Sequence, residues 1–174
     1  MLIRDATPNE LPEVGELRVS AYQAGGFLSK DSEYAQYLRV LGAGDGGHVL
    51  VAVDPAYGSH QPACQIVGTV ALQLWPNAGQ VVTGPGEAEI RALAVAPHSQ
   101  RAGVGRALLG AVIERAAELA VDHLVLLTQP DMRAARHLYE QARFVRLPDR
   151  DWSPAPGTTL LAYGLRLAAA PPLA

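Results

Sequence analysis

A glycine-containing loop between a strand and a helix is the segment best suited to chemistry by residue type and spacing. It covers residues 100–105 and follows a predicted strand that ends near Val95. Backbone N–H groups at a helix start carry partial positive charge and can hold a pyrophosphate. Gly103 and Gly105 would let such a ligand approach closely because they have no Cβ. An ordinary strand-to-helix turn whose glycines serve packing alone has the same pattern.

A dinucleotide-binding fold is one alternative for a Gly-x-Gly loop. Its fingerprint opens the first strand–helix–strand unit, has a third glycine three residues after the second, and is followed by an acidic residue about 20 positions later. Here the third position is Leu108, and the loop lies well into the chain. The order of the residues therefore disfavours this alternative.

The elements around the loop indicate an α+β or mixed-sheet α/β domain. Strands are predicted over residues 2–4, 48–53, 65–74, 87–96, 124–127, 144–147 and 159–166. Helices are predicted over residues 8–22, 101–119 and 132–141, with a further helix that Asp31 or Ser32 caps. A turn is predicted after Asp54, and a proline-rich loop over residues 148–157.

Composition excludes several classes of protein. The 174 residues suit one domain, and no apolar run approaches the ~20 residues of a membrane-spanning helix. The formal charge of −3 and a single lysine, Lys30, argue against a nucleic-acid surface. Cys64 is alone, and the start of the chain lacks a signal-peptide layout, so we expect a cytoplasmic protein. The five histidines have no metal-ligand spacing, and no metal site is expected.

Two segments resemble the GNAT acetyltransferases. Residues 89–97, the loop and the following Ala-Leu-Leu resemble motif A, whose loop is Gln/Arg-x-x-Gly-x-Gly/Ala. Residues 134–144 are similar to the family's Ala-x-x-Leu-Tyr-x-x-x-Gly-Phe segment. Arg143 stands where glycine is usual, and this departure from the family pattern affects the shape of the turn into the next strand. Met132 stands where many members have an asparagine that contacts the cofactor arm.

The resemblance implies the GNAT fold, a mixed and mostly antiparallel sheet of six to seven strands with four helices. The sheet would splay between its fourth and fifth strands, and acyl-CoA would lie in the gap. Residues 1–167 would form a single domain and residues 168–174 a loose tail. A homodimer is compatible with the family, although no pattern in this sequence supports one.

The activity implied by the resemblance is transfer of an acetyl group from acetyl-CoA to a primary amine of a small molecule or peptide, by direct attack in a ternary complex. An acyl-CoA sensor without turnover is the alternative. The residues that would bind the cofactor are Leu93, Ala94, Val95, Gln100, Arg101, Ala102, Gly103, Val104, Gly105, Arg106, Met132 and Arg136. Val95 would also donate its N–H to the developing oxyanion.

Two catalytic residues are predicted. An amine must lose a proton before attack, and Glu89 lies 14 residues before Gly103, where family members with a glutamate base have it. Glu87 on the same strand face and a water relay are alternatives for the base, and Arg91 would be a partner that keeps Glu89 ionised. Tyr139 matches the family's general acid, which protonates the leaving thiolate.

Overall fold

The computed structural model of the protein describes residues 1–29, 32–44, 46–54 and 65–167. The four helices are α1 (Leu11–Ala24), α2 (Glu33–Val40), α3 (Val104–Glu118) and α4 (Arg133–Gln141). The eight strands are β1 (Leu2–Asp5), β2 (His48–Asp54), β3 (Gln65–Leu74), β4 (Glu87–Val95), β5 (His123–Thr128), β6 (Val145–Arg146), β7 (Trp152–Ala155) and β8 (Thr158–Arg166). The predicted cap at Asp31, the turn after Asp54 and the tail 168–174 lie outside the described residues.

The strands follow the order β1-β2-β3-β4-β5-β8-β6, and β7 pairs with β8. β4 and β5 form a parallel pair from Glu87 opposite His123 to Ile90 opposite Leu126. The pairs of β8 with β5, β6 and β7, and of β1 with β2, are antiparallel. The chain therefore has the predicted mixed, mostly antiparallel α/β fold, with eight strands among the described residues where six to seven were expected.

The extra strand is β7, which lies where the sequence predicts a loop. Trp152 pairs with Leu160 and Ala155 with Thr158, with an irregular register between the two pairs. Pro154 lies within this strand. A proline cannot donate to a strand ladder, so it is tolerated at sheet edges and irregularities. Pairing with β8 has outweighed the loop-forming composition.

By internal contacts, the chain divides into two compact units. The first comprises Met1–Ala71 and Ala92–Val112, and the second Leu72–Arg91 and Ile113–Ala174. The boundary passes through β3, β4 and α3.

The first unit buries helices α1 and α2 against β2 and β3. Its core includes Val14, Leu38, Val51 and Ile66, each less than 5% exposed. Gly15 on α1 has space for hydrogen alone, since a Cβ there would lie 2.5 Å from the carbonyl oxygen of Arg39 on α2. The helix backbones therefore approach each other closely at this glycine.

The second unit has a smaller apolar cluster of Val81, Val82, Val125 and Ala162. The cluster joins the connection between β3 and β4 to strands β5 and β8, because its members come from those three segments. This connection therefore packs on the sheet instead of extending into solvent.

Candidate active site

The predicted phosphate loop has the backbone geometry of an anion-binding turn. Arg101 and Gly103 have positive φ angles of 65° and 82°, and α3 begins at Val104. Turns of this kind direct successive N–H groups into one concavity, and the first N–H groups of a helix have no partner within it. A Cβ at Gly103 would meet no heavy atom within 4 Å, so the space beside it is open. The loop therefore fits a pyrophosphate.

Packing beneath the loop holds it in place. Val104 is 4% exposed, whereas the other predicted residues are exposed or half-buried: Gln100, Arg101, Ala102, Gly103, Gly105 and Arg106. A Cβ at Gly68 on β3 would lie 2.9 Å from both Val104 and Leu108. Sequence reasoning missed Gly68, although a lone glycine within a strand pattern often marks such a close approach.

The end of β4 meets the loop through a side chain. Leu93 and Val95 are half-buried and Ala94 is buried. Gln100 donates its side-chain amide to the Val95 carbonyl over 3.5 Å. Ala92 has a φ of +50°, two residues after the last residue of β4 that pairs with β5. The regular pleat of β4 is therefore interrupted just before the three residues predicted to contact the cofactor.

Glu89 is a buried carboxylate held by two contacts. Its side chain is 2% exposed, the Gly79 N–H donates to Oε2 over 2.8 Å, and Arg91 Nε lies 3.6 Å from Oε1. Burial raises the pKa of Glu89 above its usual range, although Arg91 and the Gly79 N–H each lower it. A carboxylate with a raised pKa is a stronger base than one in water.

Glu87 has a different environment, two residues earlier on β4. It accepts hydrogen bonds from the Thr83 N–H at 2.8 Å, from Arg150 at 2.8 Å and from the His123 ring at 2.9 Å. Burial raises the pKa of Glu87, but these bonds outweigh it and lower the pKa to about 2. Glu87 is therefore a much weaker base than Glu89, and its contacts join β4 to β5 and to the segment before β7.

Tyr139 is fixed by the way α4 ends. The N–H of Phe144 donates to the Tyr139 carbonyl and that of Arg143 to the Glu140 carbonyl, each over 3.0 Å. This is a Schellman motif, with Arg143 in the left-handed position at a φ of +68°. The Phe144 ring lies 5.9 Å from the Tyr139 ring, and the Tyr163 ring lies 6.4 Å away. The turn that glycine usually makes is formed here by arginine.

Replacing Arg143 with glycine should stabilise the protein by about 1 kcal/mol. A side chain in the left-handed region costs about 1–2 kcal/mol, and part of the gain from removing it is offset because glycine loses more backbone entropy on folding. Urea denaturation measures the change. Arg143→Ala is the matched control, since it removes the same side chain, keeps the Cβ and should give no gain. A destabilised Arg143→Gly variant would mean that the arginine side chain matters more than its backbone conformation.

The Tyr139 hydroxyl suits proton donation. Burial raises the pKa of this phenol, so it stays protonated at neutral pH. In the described part of the chain, no hydrogen bond engages the hydroxyl. A leaving group could therefore accept its proton without displacing a partner among the described residues.

Arg136 and Met132 have hydrogen-bond partners within the second unit. Arg136 donates to the Tyr163 hydroxyl at 3.2 Å and to the Pro130 carbonyl at 3.0 Å. The Tyr163 hydroxyl in turn donates to Glu140 at 3.1 Å. Met132 precedes α4, and its sulfur accepts from Thr128 at 3.6 Å. These contacts brace α4 on β8, and sequence reasoning missed Tyr163 because its role depends on pairing across the sheet.

Each unit thus contains some of the predicted cofactor-binding and catalytic residues. The loop and the β4 end lie in the first unit, whereas Glu89, Tyr139, Met132 and Arg136 lie in the second. Within the described ranges, no group of three or more His, Cys, Asp or Glu residues could hold a metal ion. No helix among the described residues is long and apolar enough to cross a membrane.

Solved structures with the same fold include three acetyltransferases. A GNAT-family acetyltransferase from Staphylococcus aureus is 20% identical, with a TM-score of 0.72 over 96% of this chain and 99% of that one. A ribosomal-protein-alanine N-acetyltransferase from Brucella melitensis is 21% identical, with a TM-score of 0.64 over 96% and 100%. A phosphinothricin acetyltransferase from Sinorhizobium meliloti, in complex with AcCoA, is 18% identical, with a TM-score of 0.65 over 95% and 88%. At these identities the likeness shows the fold alone.

Sequence comparison identifies the family. No curated protein sequence matches the chain. The sequence model of the Acetyltransferase (GNAT) family matches residues 12–144, which is more than half of the chain. The matched region contains the loop, the strand with Glu89 and the helix with Tyr139. The chain therefore belongs to the GNAT acetyltransferase family.

Proposed function

We propose that the protein is an acetyl-CoA-dependent N-acetyltransferase that acts on a primary amine by direct attack. The observation that carries the proposal is the buried Glu89 carboxylate, held by Gly79 and Arg91 with a raised pKa. Direct attack needs a base for the amine proton, and Glu89 has the burial and the pKa direction of one. Because the family match crosses both compact units, we take residues 1–167 as one catalytic domain.

Acetyl-CoA would supply an acyl group activated as a thioester, and residues of the first unit would hold the cosubstrate. The loop over residues 100–105 would bind its pyrophosphate through backbone N–H groups at the start of α3. Leu93 and Val95 would pair with its pantetheine arm through their backbone. The Val95 N–H would stabilise the oxyanion that develops on the acyl carbonyl.

Residues of the second unit would move the protons. Glu89 would take a proton from the cationic amine, directly or through one water, so that the neutral nitrogen can attack, and the nitrogen would lose a second proton to solvent as the new C–N bond forms. Tyr139 would give its proton to the sulfur as the C–S bond breaks. Solvent would then reprotonate Tyr139 and accept the proton from Glu89, so that both residues regain their starting states.

The acceptor class remains broad in this proposal: a primary amine of a small molecule or a peptide. Proteins with this fold include one named for a ribosomal-protein alanine and one named for phosphinothricin. Shared fold therefore does not select between the two kinds of acceptor. The first experiment is release of free thiol from acetyl-CoA across a panel of amines, amino acids and peptides.

The Tyr139→Phe variant is expected to lower kcat on the best acceptor by about 100-fold, the scale of one general acid. Phenylalanine retains the ring that lies beside Phe144 and Tyr163, so α4 should keep its position. Steady-state kinetics and the melting temperature check both points. An unchanged kcat would remove Tyr139 from the reaction.

Thiol release also tests the proposed function as a whole. Turnover with one acceptor class, reduced in Tyr139→Phe, would support the enzyme and name its substrate class. Binding of acetyl-CoA in calorimetry without turnover on any amine of the panel would contradict catalysis and support an acyl-CoA sensor.

A further inference from the structure

The connection between β3 and β4 returns to the strand that follows it. Gly79, within this connection, donates its N–H to Glu89 Oε2 over 2.8 Å. Glu89 pairs in register with Val125 on β5, which packs with Val81 and Val82 of the same connection. The Gly79 N–H is therefore a specific polar contact to a buried carboxylate.

A side chain at position 79 would crowd the Glu89 carboxylate. A Cβ there would lie 2.5 Å from Glu89 Oε2 and 3.0 Å from Arg91 Nη1, distances that oblige these side chains to move. The φ of Gly79 lies outside the left-handed region, so its backbone conformation is open to any residue. Glycine at this position therefore matters to Glu89 because it has no side chain, and not because it can adopt unusual backbone angles.

Arg91 holds the other oxygen of the carboxylate. Its Nε lies 3.6 Å from Glu89 Oε1, and its Nη1 donates to Gln73 Oε1 over 3.4 Å. Gln73 on β3 is 5% exposed, so the arginine has a buried partner as well as the carboxylate. Each oxygen of the Glu89 carboxylate therefore has one polar contact, a hydrogen bond at Oε2 and an ion pair at Oε1.

The charged and titratable groups near Glu89 come from three segments of the chain. Arg91 on the same strand is the cation that contacts it. His123 on β5 and Arg150 before β7 both bond to Glu87 two residues away. The connection between β3 and β4 contributes the Gly79 N–H dipole. The Gly79 N–H thus bonds to Glu89, whereas the Thr83 N–H of the same connection bonds to Glu87.

We propose that Gly79 is a positioning residue that orients the Glu89 carboxylate for proton transfer, an inference that rests on the proposed function. The connection between β3 and β4 thereby becomes part of the support of the catalytic base. Either loss of the N–H contact or a side chain at position 79 would misplace the base and leave the phosphate loop unchanged.

Nuclear magnetic resonance on the wild-type chain tests the contact without any mutation at Gly79. With ¹⁵N labelling, the Gly79 amide resonance should follow the ionisation of Glu89 as pH changes, because a hydrogen bond to a carboxylate responds to its charge. The titration should vanish in Glu89→Gln. A Gly79 amide that does not titrate, or that titrates equally in Glu89→Gln, would overturn the proposal.

The Gly79→Ala variant tests the consequence for catalysis. The alanine Cβ would displace the Glu89 carboxylate from the N–H at position 79, and a weaker hydrogen bond to the charged form raises the pKa of the base, so the acid limb of kcat/KM for the amine should move up by about one pH unit. The KM for acetyl-CoA should stay unchanged. The matched control is Gly84→Ala in the same connection, where a Cβ would meet nothing within 4 Å, and its pH profile should equal that of the wild type.

Outcomes of the two experiments separate this inference from the proposed function. A folded Gly79→Ala variant with a wild-type pH profile would overturn the positioning role. If Gly79→Ala does not fold by circular dichroism, the amide titration decides. If Glu89→Gln keeps the wild-type pH profile, Glu89 is not the base and the proposed mechanism fails, whatever the amide titration gives.

Discussion

Replacing Glu89 with glutamine should lower kcat for amine acetylation at neutral pH by roughly 100- to 10,000-fold, the contribution of a general base. Glutamine has nearly the same shape and can still accept the Gly79 N–H bond, so the fold should be kept. The loss should be greatest at low pH. At low pH the wild type can use ionised Glu89 to deprotonate the amine. The variant can react only with the fraction of amine that has already lost its proton to solvent.

The sign of this pH dependence follows from the pKa of Glu89. Burial raises that pKa, and the base works in its ionised form, so wild-type activity should fall tenfold per pH unit below the pKa. In Glu89→Gln, the acid limb should move up to the pKa of the acceptor amine itself. A pH–rate profile from acid to alkaline pH measures both limbs, and identical limbs would exclude Glu89 as the base.

Glu87→Gln is the control that discriminates between the two glutamates. The pKa of Glu87 is lowered to about 2, which leaves little affinity for a proton at neutral pH. This variant should keep the shape of the pH profile and lose stability, since it disturbs the bonds from Arg150 and His123. A larger loss of kcat in Glu87→Gln than in Glu89→Gln would reverse the assignment.

Replacing Gly103 with valine should raise the KM for acetyl-CoA by about 100-fold or more, comparable to the loss of two or more charge-assisted hydrogen bonds to the phosphates. The valine side chain would enter the open space beside Gly103 that we assign to the pyrophosphate. Its β-branched shape also disfavours a φ of +82°. Both effects disturb the cradle of N–H groups.

Gly157→Val is the matched control for backbone strain. Gly157 also has a positive φ, 80°, and a Cβ there would meet nothing within 4 Å, but it lies in the turn between β7 and β8. Both variants should lose stability, whereas the KM for acetyl-CoA should rise in Gly103→Val alone. An unchanged KM in Gly103→Val would remove the loop from cofactor binding.

Much of the fold was predictable because local patterns decide it. Valine-rich runs form β2 and β3, and the glycine loop leads into α3 as predicted. Ser32 caps α2, and its Oγ accepts the Tyr34 N–H. The bounds of the predicted helices moved by a few residues because Pro8–Glu10 forms a 3₁₀ turn before α1 and because α3 starts after the loop.

The sequence by itself determined the family, the α/β fold and the identity of the candidate residues, because these depend on residue type and spacing along the chain. The offset from Gly103 favoured Glu89 over Glu87, but tertiary structure alone separated their pKa values, since both are glutamates on one strand and they differ in burial and in hydrogen-bond partners from other segments. It also decided that Arg143 makes a glycine-like turn and that Gly79 supports Glu89. Both depend on close contacts or backbone angles that spacing in the sequence does not encode.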